Sequence, residues 1–310
     1  MKRKLVQQGT TTLMVSLPSD WIQRFKLKKG QEVDITDVKD HLIIASSERK
    51  HQKETILSFK THTESAIRLT LINAYRAGYD VLTIKNIDKG QLNIIREVLQ
   101  NYLLGMEITH QDKGTCIIES ITEPHEEKFD LIFQKIFNGI ASMIQSTAAR
   151  IKNNTPFTDY EFTMLNIHKY DNFCRRMMTK QNIYSDKAIF FWNFLSLVIH
   201  APRELYHLNK YLDKQKPKLS VKESAMHAQY LFSLQELFLM LRHAYQEKNL
   251  SAIEKVHEKS KGLLFTNLYD AMKKNNSNQI ILHHIGMALR NLYLSTSPLL
   301  GLLLEKDSTS

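Results

Sequence analysis

Residues 4–35, KLVQQGTTTLMVSLPSDWIQRFKLKKGQEVDI, decide how the chain begins, and they look unlike the long helical remainder of the sequence. Leu13, Val15 and Leu17 alternate with Met14 and Ser16, the period of a half-buried strand. A first strand over 4–8 precedes it, and Gly9-Thr10-Thr11-Thr12 separates the two. Pro18 stops the second strand. Ser19 is placed to cap a short helix filled by Trp21, Ile22 and Phe25. Lys28-Lys29-Gly30 then turns the chain into an alternating strand carrying Val33 and Ile35. A bend over 38–41 leads back into LIIAS, so residues 1–46 read β-β-α-β-β. A unit this small buries too little apolar surface to stand alone without metal, disulfide or a partner. It shows neither a metal cluster nor a cysteine pair. It must pack on the rest of the chain or pair with a second copy, and its open strand edges favour pairing.

The whole chain has 310 residues, 43% hydrophobic and 24% charged, the profile of a soluble globular protein with room for two or three domains. The net charge of +10 points to an anionic partner or to a generally basic surface. Its distribution separates these readings. Residues 1–53 carry eleven Lys and Arg against six Asp and Glu, so half the excess lies in about a sixth of the chain. Cys116 and Cys174 form no CxxC, which indicates a reducing compartment. MKRKLVQQG lacks a following apolar segment, so no signal peptide is expected. The apolar runs near 190–200 and 299–304 are too short or interrupted to insert in a membrane. The expected location is the cytoplasm.

SSERKHQKE (46–54) reads as a polar linker. From 55 to 121 strands and helices alternate. Thr61 and Glu64 form a capping box before a helix with Ile67, Leu71, Ala74 and Tyr75 on one face, ended by Gly78. A second helix aligns Ile95, Leu99 and Leu103, and MEITH and TCIIESI pair around Asp112-Lys113-Gly114. Beyond about 126 the pattern is helical, starting with a stripe of Phe129, Ile132, Phe133, Ile136, Ile140, Met143, Ile144 and Ile151. Capping boxes at Thr158/Glu161, Ser220/Glu223 and Ser251/Glu254 mark further helix starts, with others near 186 and 278. The expected fold class is α+β, mainly α. The expected domains are 1–46, a small α/β domain over 55–121, and two tandem three-helix bundles over 126–215 and 220–305.

The opening resembles the AbrB/SpoVT-type swapped-hairpin DNA-binding domain. The basic first strand, Gly9, the Thr run, VSLPSDW (15–21) and KLKKGQEVDI (26–35) carry that resemblance. NAYRAGYDVLTIK (73–85) and REVLQNYLLGMEI (96–108), followed by two bundles, look like archaeal PhoU-like phosphate uptake regulators. The resemblance implies a homodimer whose interleaved hairpins form a small β-barrel that binds double-stranded DNA, with helical domains that sense a signal or bind a regulatory protein partner. Lys2, Arg3 and Lys4 would neutralise phosphates, and Thr10, Thr11 and Thr12 would donate hydroxyl and backbone groups to phosphate oxygens. Gln8 and Arg24 would reach base edges or phosphates, and Ser16 completes the expected DNA-binding set. Against this, Lys2–Lys4 also suit a solvated chain end, and threonines suit strands.

The helices depart from the PhoU pattern. Its Glu-x-x-x-Asp metal motif falls here on Ile199 and Arg203, and Asp171 in YDNFCRR (170–176) lacks a paired acid, so no metal is expected. His200, Glu204 and His207 share a helical face, but Pro202 would kink or break that helix. AIFFWNFLSL (188–197) has the spacing of bundle core. No P-loop, GxGxxG, HExxH or GxSxG is present, so neither an enzyme nor a cofactor is expected. The rival reading is a PhoU-like adaptor that docks on a transporter or sensor kinase without binding DNA. A third, an antitoxin-like module, fits the hairpin domain but not the long helical half.

Overall fold

The computed structural model describes residues 2–38, 41–46, 52–60, 63–122, 128–181, 183–274 and 278–304. The tip of the expected bend at 38–41, most of the expected linker, Thr61, the expected helix start at 126 and the end of the last domain at 305 lie outside these residues. The fold is α+β and mainly α. The chain divides into two compact units, Met1–Lys53 and Glu54–Ser310.

In the first unit β1 (Val6–Gln8) and β2 (Thr12–Met14) form an antiparallel hairpin with Gln8 opposite Thr12. Both strands are shorter than the alternation predicts, because neither hairpin arm extends beyond the Val6–Met14 pair to provide further ladder partners. Gly9 has φ 75°, a left-handed conformation that lets the chain reverse. Helix α1 (Ser19–Arg24) follows. Its N-cap is Pro18, not Ser19: the extended Pro18 lends its carbonyl to the N–H groups of Trp21 and Ile22 at 3.1 and 3.0 Å. Ser19 sits one position inside the helix, its hydroxyl 3.4 Å from Asp20 Oδ1. Strands β3 (Val33–Val38) and β4 (His41–Ser46) form a second hairpin with Ile35 opposite Ile44. Among the described residues none of this unit is buried. Leu5, Val6, Leu13, Ile35 and Leu42 are all more than half exposed.

The second unit starts with β5 (Glu54–Ser58), α2 (Glu64–Arg76), β6 (Val81–Lys85), α3 (Lys89–Tyr102), β7 (Met106–Asp112) and β8 (Thr115–Ser120). The sheet order is β5-β6-β8-β7, with β5 and β6 parallel and the other pairs antiparallel. The parallel pair requires a crossover, which α2 supplies. Ile67, Leu71 and Tyr75 from α2 and Ile95 and Val98 from α3 share a core with Leu82, Ile84, Cys116 and Ile118 of the sheet. The predicted faces of both helices are the buried ones.

Among the described residues seven α-helices follow: α4 (Lys128–Asn153), α5 (Tyr160–Gln181), α6 (Ala188–Gln215), α7 (Val221–Gln246), α8 (Leu250–Gly262), α9 (Tyr269–Lys274) and α10 (Gln279–Leu303). A π-helical turn, Leu263–Leu268, joins α8 to α9 without a break. The two predicted sets of three helices interleave, because α4 lies along α7 and α6 along α10. One continuous core results, with Phe129, Phe133, Phe137, Phe191, Phe194 and Phe238 buried in it. Within AIFFWNFLSL, Phe191, Phe194 and Leu195 are buried in this core, Ala188, Ser196 and Leu197 are half-buried, and Ile189, Phe190, Trp192 and Asn193 are exposed. Helix α6 continues through Pro202 without the expected break. Pro202 is buried, and the long α6–α10 packing outweighs one missing hydrogen bond.

The α/β segment and the helices also share a seam of buried charge. Asp171, on α5, accepts from Arg76 at 2.8 Å and from Arg175 at 2.7 Å. Arg176 donates to Asp80 at 2.6 Å and to the Tyr79 carbonyl at 2.6 Å, with its guanidinium 4.9 Å from the Tyr75 ring centroid. Lys180 joins it on Asp80. Asn172 donates to the Tyr102 carbonyl at 3.0 Å. YDNFCRR is thus a docking strip. Gly78 (φ 81°) ends α2 beside it, and a Cβ there would lie 3.1 Å from Lys180 Cγ.

Candidate nucleic-acid interface

The β1–β2 hairpin builds the only part of the expected site whose members the structure visibly gathers. Gln8 and Thr12 face each other across the ladder, and Thr10 and Thr11 form the turn between them. The Gln7 side-chain amide reaches the Thr10 carbonyl at 3.5 Å, a long bond across the turn. Lys2, Arg3 and Lys4 occupy the chain before β1, and Ser16 lies between β2 and Pro18. Arg24 sits in the last turn of α1, where a cation also complements the helix dipole. All nine expected residues are exposed. No hydrogen bond or ion pair among the described residues ties Lys2, Arg3, Lys4, Ser16 or Arg24 to the turn.

Sequence reasoning misses three further cations. Lys26, Lys28 and Lys29 follow α1, are exposed, and make no ion pair among the described residues. Their signal is the run KLKKG, which reads first as a turn. The turn is real: the Gln31 N–H donates to the Lys28 carbonyl at 3.1 Å, and Gly30 has φ 84°. Together with Lys2–Lys4 and Arg24 these lysines give the small unit seven cations without an ion-pair partner among the described residues. Such groups can neutralise phosphates, while the Gln8 amide and the threonine hydroxyls offer short-range hydrogen bonds.

Residues 6–54 match the family described as antidote-toxin recognition MazE, bacterial antitoxin. MazE is of the AbrB-like swapped-hairpin kind, so the likeness of the N-terminal unit to that kind rests on this match as well as on its motifs. The matched segment ends within one residue of the boundary of the first compact unit. No curated protein and no solved structure matches the chain.

The histidine constellation on α6 does not assemble. His200 turns back to the Ser196 carbonyl at 2.6 Å. Glu204 instead pairs with His284 of α10 at 2.9 Å, and His207 stacks on His284 with ring centroids 6.3 Å apart. His283, its neighbour, faces elsewhere and lines a separate hollow with Tyr269 and Arg290. Asp171 is occupied by its two arginines, Arg76 and Arg175.

Proposed function

We propose that the chain is a DNA-binding transcriptional regulator that acts as a homodimer through its N-terminal unit. The observation that carries this reading is a MazE-like unit with exposed apolar strands and, among the described residues, no buried side chain and seven unpaired cations. Exposed Leu5, Val6, Leu13, Ile35 and Leu42 need a cover, and an interleaved second copy supplies one with matching strand edges. The swapped hairpins then form one small barrel with a doubled set of cations. The helical part serves as a PhoU-like sensing or partner-binding region, and the connection to phosphate uptake rests on resemblance alone. The protein is cytoplasmic and not an enzyme in this reading. Among the described residues no helix is long and apolar enough to cross a membrane.

A gel-shift titration of the full chain with mixed-sequence duplex DNA tests the proposal. Retardation at low salt should weaken steeply as salt rises, since each phosphate contact releases counterions. Absence of a low-salt shift would sink it and leave the adaptor reading, in which the helical half docks on another protein. That rival is tested by pull-down with residues 54–310; a fragment starting at 122 would sever the Arg76–Asp171 and Arg176–Asp80 pairs. The family match favours a second reading in particular, an antitoxin whose N-terminal unit accompanies toxin neutralisation. Rescue of growth on co-expression with a toxin encoded beside it would support that reading.

A further inference from the structure

A cavity of about 390 Å³ opens within the second unit, between α2, the end of α3, α5 and α6. Its wall is strongly cationic. Arg68 and Arg76 reach it from α2 and Arg203 from α6, whereas Glu161 is the only acid in the lining among the described residues. Arg76 is held through Nη2 by Asp171 at 2.8 Å and through Nε by Asn172 at 2.8 Å. Arg68 holds Glu64 through Nε alone, at 2.6 Å, and its guanidinium lies 5.5 Å from the Tyr102 ring centroid. Arg203 has no ion pair or hydrogen bond among the described residues. Arg203 and His207 extend this set to the rim, where both are exposed.

His168 stands in the same wall, its ring 6.5 Å from that of Tyr102, and makes no hydrogen bond among the described residues. Burial pushes its pKa down to about 4, and Arg203, Arg76 and Arg68 press in the same direction against the pull of Asp171. At neutral pH it is an uncharged imidazole with one donor and one acceptor to offer. All three guanidiniums thus lie close enough to act on one ring. Like charges held together around an open hollow favour an anion between them, and a guanidinium suits planar or tetrahedral oxyanions. Leu69, Ile72, Met164 and Leu165 add apolar wall. The volume lies within the roughly 300–1,000 Å³ usual for small-molecule sites, leaving room for an organic body beside the charged group.

We infer that this cavity binds a small organic oxyanion, bearing phosphate or carboxylate, held by Arg203 and Arg68 with His168 as a hydrogen-bond partner. The inference goes beyond the proposed function and stands whether or not the N-terminal unit binds DNA. Isothermal titration calorimetry of the full chain at fixed ionic strength tests it, with adenosine monophosphate as the phosphate probe and citrate as the carboxylate probe. One or both should bind at one site per chain, and which one binds identifies the charged group. Arg203→Gln should weaken that binding by about tenfold or more. Arg203 is exposed and unpaired, so circular dichroism should show an unchanged melting curve. Lys255→Gln removes an exposed charge on α8, outside the cavity, and should leave binding as it was. Failure of both probes to bind at millimolar concentration, or an Arg203→Gln protein that binds as tightly as the parent, overturns the inference.

Discussion

The two compact units solve the problem of apolar surface in opposite ways. The unit from Glu54 onward builds a continuous internal core in which Phe133, Phe137, Phe191 and Phe194 are at most 1% exposed. Residues 2–46 leave theirs outside, with Leu13 at 61% and Val6 at 59%. Among its described residues the first unit therefore has no internal core of its own. In the proposed homodimer the first unit's stability and its function would have one cause: what completes its core also assembles its surface. The second unit already has a core of its own, continuous through its helices.

The largest expected effect lies in the self-sufficient unit. Asp171→Ala removes the shared partner of Arg76 and Arg175, leaving a guanidinium that is only 4% exposed without a counter-charge. Breaking a buried pair this way costs about 3–5 kcal/mol. Urea unfolding followed by far-ultraviolet circular dichroism should show the helical transition moved to much lower denaturant. DNA retardation below that point should persist, because the first unit contributes none of these contacts. Equal loss of both properties would break the division between the units.

Acid should weaken the same unit. His168 binds its proton in the folded chain only near pH 4, against about 6.5 when unfolded. His227 is buried, neither of its ring nitrogens makes a hydrogen bond among the described residues, and burial lowers its pKa too. A depressed histidine pKa means the unfolded state binds more protons, so stability is whole above about pH 6.5 and falls as pH drops toward 4. For His168 alone the loss at pH 5 is about 2 kcal/mol. The urea midpoint of the parent should therefore fall more between pH 7 and 5 than that of His168→Gln. Parallel slopes would show that the imidazole is not held neutral.

Leu13→Ala probes the other side of the comparison. If a second copy covers Leu13, truncating it should cost the dimer roughly 1.5–3 kcal/mol, about tenfold to a hundredfold in its dissociation constant. Sedimentation velocity across a dilution series measures this, and the melting of the helices should not move. An unchanged assembly would mean that the exposed strands are covered by something else.

How much of the fold is legible in the sequence depends on how local each signal is. The stripe on α4 and the faces of α2 and α3 depend on period alone, and those elements form; of the alternation through Leu13, Val15 and Leu17 only Thr12–Met14 becomes strand, and it is exposed throughout. Helix starts near 158, 186, 221, 252 and 278 fall within two residues of those observed. The interleaving of α4 with α7 and of α6 with α10 is not legible, because nothing in an amphipathic stripe names its partner. Nor is the role of YDNFCRR, whose charges are silenced by Asp80 and Arg76 some 95 residues away in sequence. Pro202 misleads because its cost is local while the packing that offsets it is not. In the candidate interface Gln8 and Thr10–Thr12 are joined by a hairpin and can be read from the turn. Lys26, Lys28 and Lys29 are hidden by the stronger turn signal of Gly30. Arg203 stands out in the sequence only as the wrong residue for a metal; its cavity needs α2 and α6 together.

The smallest expected effect concerns two serines that the sequence treats alike. Ser220 begins α7 with a reciprocal capping box: its hydroxyl accepts from the Glu223 N–H at 3.2 Å, and Glu223 Oε2 accepts from the Ser220 N–H at 2.8 Å. Ser19 begins α1 with no such bond, because Pro18 already holds the cap position and offers only a carbonyl. Ser220→Ala should therefore cost about 1 kcal/mol in the helical transition. Ser19→Ala should change neither that transition nor the dimer measurably, since what holds α1 in this view is apolar contact from Trp21 and Phe25, 5.4 Å apart, and the cover supplied by a second copy. Urea titrations of the two variants side by side decide it. A Ser19→Ala protein as weakened as Ser220→Ala would mean that the first unit depends on its own local bonds after all, and the contrast between a borrowed core and an internal one would have to be redrawn.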